Sequence, residues 1–277
     1  MSATTRIALK SLAISASSLA LMHTAPAMAQ VEEIIVTAQK VEENVQDVPI
    51  AITAVSGDRL IQAGVISLEN ISTVVPSVTF RKGTTSANSA IVMRGVGTIS
   101  FSVAAEPSVS TVVDGVVLSR SGQAFMDLVD LQRLEVLRGP QGTLFGRNAS
   151  AGLVNIVSKG GTDTFEAEAS ADWFEGEEYR LRAAISGPLG ENLSARLTGF
   201  YGSFDGNITN INGGRNDKVN GYERYGVRGI MDYDDGGNTV RLIADYYKAD
   251  DDCCVDVTGA SRGAAQDARP PGRPSRR

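Results

Sequence analysis

Residues 131–159 read LQRLEVLRGPQGTLFGRNASAGLVNIVSK. This stretch alternates short apolar strands with glycine-rich turns. Gly139, Gly142, Gly146 and Gly152 supply tight turns or close backbone approach, and Pro140 stops a strand from running on. Arg147 and Asn148 follow Gly146, where they are placed to satisfy turn carbonyls. A phosphate-cradling loop is the other use of so many glycines, but the G-x-x-x-x-G-K-[ST] spacing is missing.

Upstream, the pattern is of the same kind. Val48-Pro49-Ile50-Ala51-Ile52-Thr53-Ala54-Val55 reads as an alternating strand. Ser56-Gly57-Asp58 makes a turn whose Ser or Asp caps a short helix carrying Leu60, Ile61, Gly64 and Val65. Ser67 to Ile71 starts a second short helix that Pro76 ends, and Val78-Thr79-Phe80 is again strand-like. Ile91-Val92-Met93-Arg94-Gly95-Val96-Gly97 runs from a strand into a glycine turn. Val109 to Leu118, VSTVVDGVVL, is two strands joined through Asp114-Gly115, a strong hairpin signal.

The N-terminus has the form of an export signal. Arg6 and Lys10 are basic, Leu12 to Met22 is a short, mostly apolar run, and Ala27-Met28-Ala29 is a small-x-small site. Cleavage is expected after Ala29, leaving Gln30 first; an uncleaved anchor is the alternative. No stretch approaches the ~20 apolar residues of a membrane helix, so any membrane domain must be built of strands. Almost directly after the site comes Glu32-Glu33-Ile34-Ile35-Val36-Thr37-Ala38. Its β-branched residues favour an extended strand able to add to the sheet edge of a partner. A buried edge strand of the chain's own sheet fits the same pattern. Lys40 to Asp47 is polar and reads as a flexible link.

From about residue 163 the period becomes a clean two. Phe165, Ala167, Ala169, Ala171 and Trp173 alternate with Glu166, Glu168, Ser170 and Asp172, and four further sets follow, the last being Val240, Leu242, Ala244 and Tyr246. All 7 tyrosines lie at or after Tyr179, and the single tryptophan is Trp173. Aromatic residues near strand ends fit the girdles of a membrane β-barrel. Alternation alone also fits a soluble sandwich with one wet face. The turns 187–192 and 234–238 are short and are expected in the periplasm, whereas 205–221 is long, polar and expected outside.

Taken in order, the residue 32–38 box, VPIAITAVSG, MRGVG, VDGV and LEVLRGPQGTLFGRNASAGLVNIVSK resemble the TonB-dependent outer-membrane receptors over residues 32–165 or so. The resemblance implies a plug domain, α+β with a small mixed sheet and short helices, seated inside an antiparallel transmembrane barrel. It makes Glu33, Ile34, Ile35, Val36, Thr37 and Ala38 the box that pairs with TonB. It makes Arg94 and Arg138 the arginines that pair with barrel glutamates; a guanidinium suits that role because its planar fork binds a carboxylate in two places. Gly95 and the turn residues from Gly139 to Asn148 then shape the plug loops. The implied function is energised uptake of a scarce large solute, such as a metal chelate of the iron–siderophore kind. The implied place is the outer membrane of a Gram-negative cell, in contact with lipid.

The resulting division is signal 1–29, box and linker 30–47, plug 48–162, first barrel strands 163–250 and an irregular tail 251–277. Five strand patterns fall short of the about 22 strands of plugged transporters, so an incomplete barrel is expected. From Ser261 the chain turns to SRGAAQDARPPGRPSRR, which predicts a frameshift or a premature stop, with a natural disordered tail as the alternative. The second functional expectation is therefore a non-transporting plug fragment that is exported and at most binds TonB.

Other classes are poorly served. The net charge of -6 gives no basic patch for nucleic acid. The one histidine, His23, lies in the expected signal, which argues against a catalytic triad or an ordinary zinc site. No enzyme activity, cofactor or metal site is expected. Cys253-Cys254 is placed in an outside loop.

Overall fold

A computed structural model describes residues 34–37, 39–83, 89–100, 102, 104–120, 128–210 and 217–252. The signal segment, Glu33, Ala38, Cys253-Cys254 and the irregular tail lie outside the described residues. The chain divides at Ile34/Ile35; the architecture below belongs to the unit that starts at Ile35.

The first sheet is mixed and five-stranded. Its strands are β3 (Ile52–Ser56), β6 (Val109–Val113), β7 (Val116–Leu118), β8 (Leu131–Arg138) and β9 (Gly152–Ser158), in the order β3-β8-β9-β6-β7. Only β6 and β9 run parallel. A two-stranded ribbon, β4 (Val78–Arg81) with β5 (Ala90–Met93), and another, β1 (Ile35–Val36) with β2 (Glu43–Asn44), lie beside it. Successive side chains of a strand point to opposite faces. One face of the sheet carries Leu134, Val136, Val154 and Ile156 into a core with Leu60, Val65, Leu68, Ile71 and Met93.

Local chemistry accounts for most of these elements. Ser56 caps the helix Gly57–Gln62 by accepting from the Arg59 N–H, as expected of a serine before a helical run. Asp114 (φ 48°) and Gly115 (φ 83°) take left-handed conformations and close the β6–β7 hairpin. Arg94 (φ 50°) and Gly95 (φ 83°) do the same after β5. Three expectations change in detail. The strand anticipated from Val48 begins only at Ile52; Pro49 has no N–H to donate to a ladder. The second helix, Leu68–Thr73, is a 3-10 helix. The linker 40–47 is folded, with β2 in it and Lys40 5.6 Å from the Phe145 ring centre.

The second sheet is antiparallel throughout. It consists of β10 (Glu166–Phe174), β11 (Glu178–Pro188), β12 (Leu193–Phe204), β15 (Tyr222–Asp234) and β16 (Thr239–Asp251). Between β12 and β15 the long polar loop carries a small hairpin of its own, β13 (Ile208–Asn210) with β14 (Asp217–Val219). The five long strands have 9 to 13 residues, the length a tilted strand needs to cross a bilayer.

Burial on this sheet runs opposite to a soluble sandwich. Its apolar face is bare: Trp173, Leu181, Ile185, Leu197, Val227, Val240 and Leu242 are all exposed. Its polar face is covered, with Ser186, Arg196, Thr198 and Arg224 buried. Apolar residues left outside and polar ones packed inside fit lipid on one side and a filled lumen on the other. Trp173, Tyr179, Tyr201 and Tyr225 gather towards the end bearing the 205–221 loop, while Phe165 and Tyr233 mark the opposite end. Among the described residues no helix is long and apolar enough to cross a membrane, and the sheet is open, with β10 and β16 each paired on one side only.

Candidate functional site

Two clusters of buried charge lie on the mixed sheet. The first is on the face opposite its core. There β8 presents Arg133 and Glu135, and β9 presents Asn155, which is the register partner of Glu135. Glu135 has no exposure to solvent. Its Oε1 accepts from Arg133 Nε at 2.7 Å and from the Thr37 N–H at 2.9 Å; its Oε2 accepts from Asn155 Nδ2 at 2.9 Å. The Thr37 hydroxyl also accepts from Arg133 at 3.2 Å and from Asn155 at 3.4 Å. Val36, the neighbour of Thr37, is likewise fully buried. Residues 35–37 of the box are therefore docked on the sheet. Ile35 pairs with Asn44 and Val36 with Glu43 of the chain's own linker, in a two-stranded ribbon separate from the five-stranded sheet. Ile34 and Ile35 lie nearer the surface.

The second cluster joins the mixed sheet to the barrel-type sheet. Asp130, immediately before β8, takes both guanidinium arms of Arg196, Nε and Nη2, at 2.6 Å each. Thr198 donates to the same carboxylate, and Glu168 stands 3.7 Å from Arg196. Burial alone raises the Asp130 carboxyl; the hydrogen bonds from Arg196 and Thr198, with the charges of Arg196 and Lys159, outweigh it and hold the group below its ordinary value. Asp114, in the β6–β7 turn, accepts from the Ser158 N–H and hydroxyl at 2.8 Å each. Arg228 of β15 then donates to Ser158 at 2.6 Å and to Asp114 at 3.2 Å. Both clamps set a plug acid on a wall arginine, while Lys159 and Glu168, 3.5 Å apart, pair with the signs reversed.

The arginines singled out from sequence sit elsewhere. Arg138 donates from Nη2 to the Ile52 carbonyl at 3.2 Å, bracing β8 against β3. Arg94 is exposed in its turn, and its Nη2 lies 4.0 Å from where a Cβ on Gly139 would be, so the two arginine–glycine turns meet at one end of the sheet. Gly139 (φ 94°), Gly146 (φ 75°) and Asn148 (φ 74°) are left-handed, Gly142 opens the short helix Gly142–Phe145 after Pro140 and Gln141, and Arg147 pairs with Glu106 at 2.7 Å. Glu135, Asp114 and Asp130 were missed. A signal existed for each: a lone carboxylate inside the apolar run LEVL, and aspartates at a turn and at a strand start facing lumen arginines.

Further up the polar face, towards the 205–221 loop, Arg180, Tyr222 and Arg224 stack. Arg224 lies 4.4 Å and Arg180 5.6 Å from the Tyr222 ring centre, and Phe174 flanks Arg180. Glu178 and Asp251 accept from these arginines. Among the described residues no group of acids, cysteines or histidines is arranged to hold a metal ion.

Comparison with known proteins follows the same lines. The TonB-dependent Receptor Plug Domain model matches residues 44–153. The chain is 32% identical over 144 residues to the pesticin receptor of Yersinia pestis, covering 52% of this chain and 21% of that protein. It is 37% identical over 92 residues to the ferric enterobactin receptor PirA of Pseudomonas aeruginosa, covering 30% of this chain and 12% of that one. The crystal structure of the ferric yersiniabactin uptake receptor FyuA from Yersinia pestis superposes with a TM-score of 0.62 at 26% identity, over 72% of this chain and 32% of that one. The chain thus spans about a fifth of the pesticin receptor's length, 21%.

Proposed function

We propose a function from one premise: the chain belongs to the TonB-dependent receptors, as a plug domain joined to antiparallel strands of their barrel type. We infer that it takes part in energised uptake of a large, scarce solute across an outer membrane, with an iron–siderophore complex as the solute class. The observation that carries the reading is the plug packed on the polar face of a sheet whose apolar face is bare. Relatives named as receptors for ferric enterobactin and ferric yersiniabactin support the solute class. The Arg180–Tyr222–Arg224 stack supports it as well, since arginine and aromatic planes suit an anionic chelate.

In this reading residues 33–38 pair with TonB as an added strand, and the work comes from that partner rather than from chemistry in this chain. Arg94 and Arg138 keep their proposed part in seating the plug, through glutamates of strands beyond the five described. The boundaries 1–29, 30–47, 48–162, 163–250 and 251–277 belong to the same proposal, as do export by a cleavable signal and the siting of the 205–221 loop outside. A second reading, a plug-bearing chain that is exported and binds TonB without transporting, is supported by the plug's own hydrophobic core around Leu60, Ile71, Leu134 and Ile156.

Uptake of radiolabelled iron chelates by cells making this chain separates the two. Accumulation above a vector control that disappears with Ile35→Pro supports transport. Accumulation equal to the control, with TonB still captured by the chain, supports the second reading.

A further inference from the structure

We propose that Asp232, aimed by Arg241, is a positioning residue that pins the connector between plug and wall at Gly161, so that any displacement of the plug turns about this fixed end. Such a pin acts whatever moves the plug and whatever solute is carried. Lys159-Gly160-Gly161 has the composition of a loose hinge, since two glycines in a row have the widest backbone freedom. Neither glycine has room to use it. A Cβ on Gly160 would stand 2.5 Å from Arg241 Nη2 and 2.6 Å from Asp232 Oδ2. One on Gly161 would overlap Ser194 Oγ and stand 2.8 Å from the backbone nitrogen of Ala195.

The close approach brings two successive N–H groups of the connector onto the wall. The Gly161 N–H donates to Asp232 Oδ2 at 2.8 Å. Asp232 of β15 is the register partner of Arg241 of β16, whose Nε donates to Oδ1 at 2.5 Å and whose Nη2 donates to Oδ2 at 3.2 Å. This pair is partly exposed, so it adds little stability by itself; the planar fork instead fixes which way the carboxylate points. The Thr162 N–H donates to Ser186 Oγ at 3.0 Å, and the Ser186 hydroxyl donates to the Ala195 carbonyl at 3.2 Å. Four neighbouring strands, β11, β12, β15 and β16, thus hold the connector. The two clamps at Asp130 and Asp114 differ in kind: their wall contacts join side chain to side chain and can part while the connector backbone stays where it is.

The test is amide exchange on the full chain in detergent micelles. Gly161 is read beside Ser158, whose N–H is held by Asp114, and beside Leu197 and Ile230 of the wall. Asp232→Arg combined with Arg241→Asp keeps an ion pair between β15 and β16 but puts a cation where the Gly161 N–H needs an acceptor. Loss of that charged hydrogen bond is expected to quicken exchange at Gly161 about tenfold or more, with Ser158, Leu197 and Ile230 unchanged. Asp114→Gly, which the left-handed turn accepts, combined with Asp130→Asn is expected to do the reverse: Ser158 exchanges faster and Gly161 stays protected. Wild-type exchange at Gly161 in the reversed pair overturns the proposal, because the pair then only ties two strands together. Fast exchange at Gly161 in the clamp variant overturns it too, because the connector then follows the plug. If the reversed pair also loosens Leu197 and Ile230, Asp232→Ala decides: faster exchange at Gly161 with those amides intact supports the pin, and no change overturns it. None of these readings needs TonB, a solute or transport, so the pin stands or falls apart from the proposed uptake.

Discussion

Replacing Asp130 with Asn tests the attachment of the plug to the wall. Asparagine has the same shape and tolerates the left-handed backbone at this position, where φ is 58°, so the change removes charge without backbone strain. It strips Arg196 of two charged hydrogen bonds while the guanidinium remains only 2% exposed. Breaking a buried pair from one side costs about 3–5 kcal/mol, because the other charge stays behind without its partner. Glu168, 3.7 Å away and 40% exposed, recovers a part, which puts the expected loss near the lower end, ~3 kcal/mol. The assay is urea unfolding of the chain in micelles, followed by protection of the Leu134 and Ile156 amides. Arg196→Met completes a double-mutant cycle with an expected coupling of about 2 kcal/mol or more. A loss below ~1 kcal/mol for Asp130→Asn, or additivity within about 0.5 kcal/mol, would refute the clamp.

Further outcomes follow from the same geometry. Asp130 has a folded value below its unfolded one, so its stabilisation is complete above the ordinary carboxylate range of about 4 and is lost as pH falls through the lowered value. Unfolding midpoints measured from pH 7 to pH 3 should fall at the acid end, and Asp130→Asn should flatten that part of the curve. Leu134→Ala removes a fully buried side chain from the plug core and should cost about 2–5 kcal/mol, read from the urea midpoint at unchanged m. Gly152→Ala should cost about 1–3 kcal/mol, since its Cβ would stand 2.6 Å from the Leu137 carbonyl oxygen and against the Met93 sulfur. A midpoint equal to wild type would contradict the tight β8–β9 approach.

Features set by near neighbours were legible in the sequence. Asp114-Gly115 specifies a left-handed turn by its own chemistry, Ser56 caps the helix that follows it, and the period-two runs after residue 163 separate a lipid face from a lumen face. Features set by distant partners were not. Asp130 and Arg196 are 66 positions apart, and Asp114 and Arg228 are 114 apart, so nothing in either local pattern names the other. Glu135 is a further case. A charge within an apolar strand announces that something must compensate it, but not that the compensation includes the backbone of Thr37, 98 positions earlier. The linker misled for a related reason: its polar composition reads as loose, and its order comes from β1 and the Phe145 ring.

The sign of the wall contacts matters once the plug moves. Arg196 and Arg228 are fixed in the strands, and their counter-ions Asp130 and Asp114 ride on the plug. A displacement that carries the aspartates away would leave each arginine beside an acid of the wall itself, Glu168 at 3.7 Å from Arg196 and Asp245 at 3.6 Å from Arg228. Along this seam the strands keep a counter-ion for each arginine with the aspartates present or absent, so the clamps would come apart by an exchange of partners and not by the exposure of bare charge.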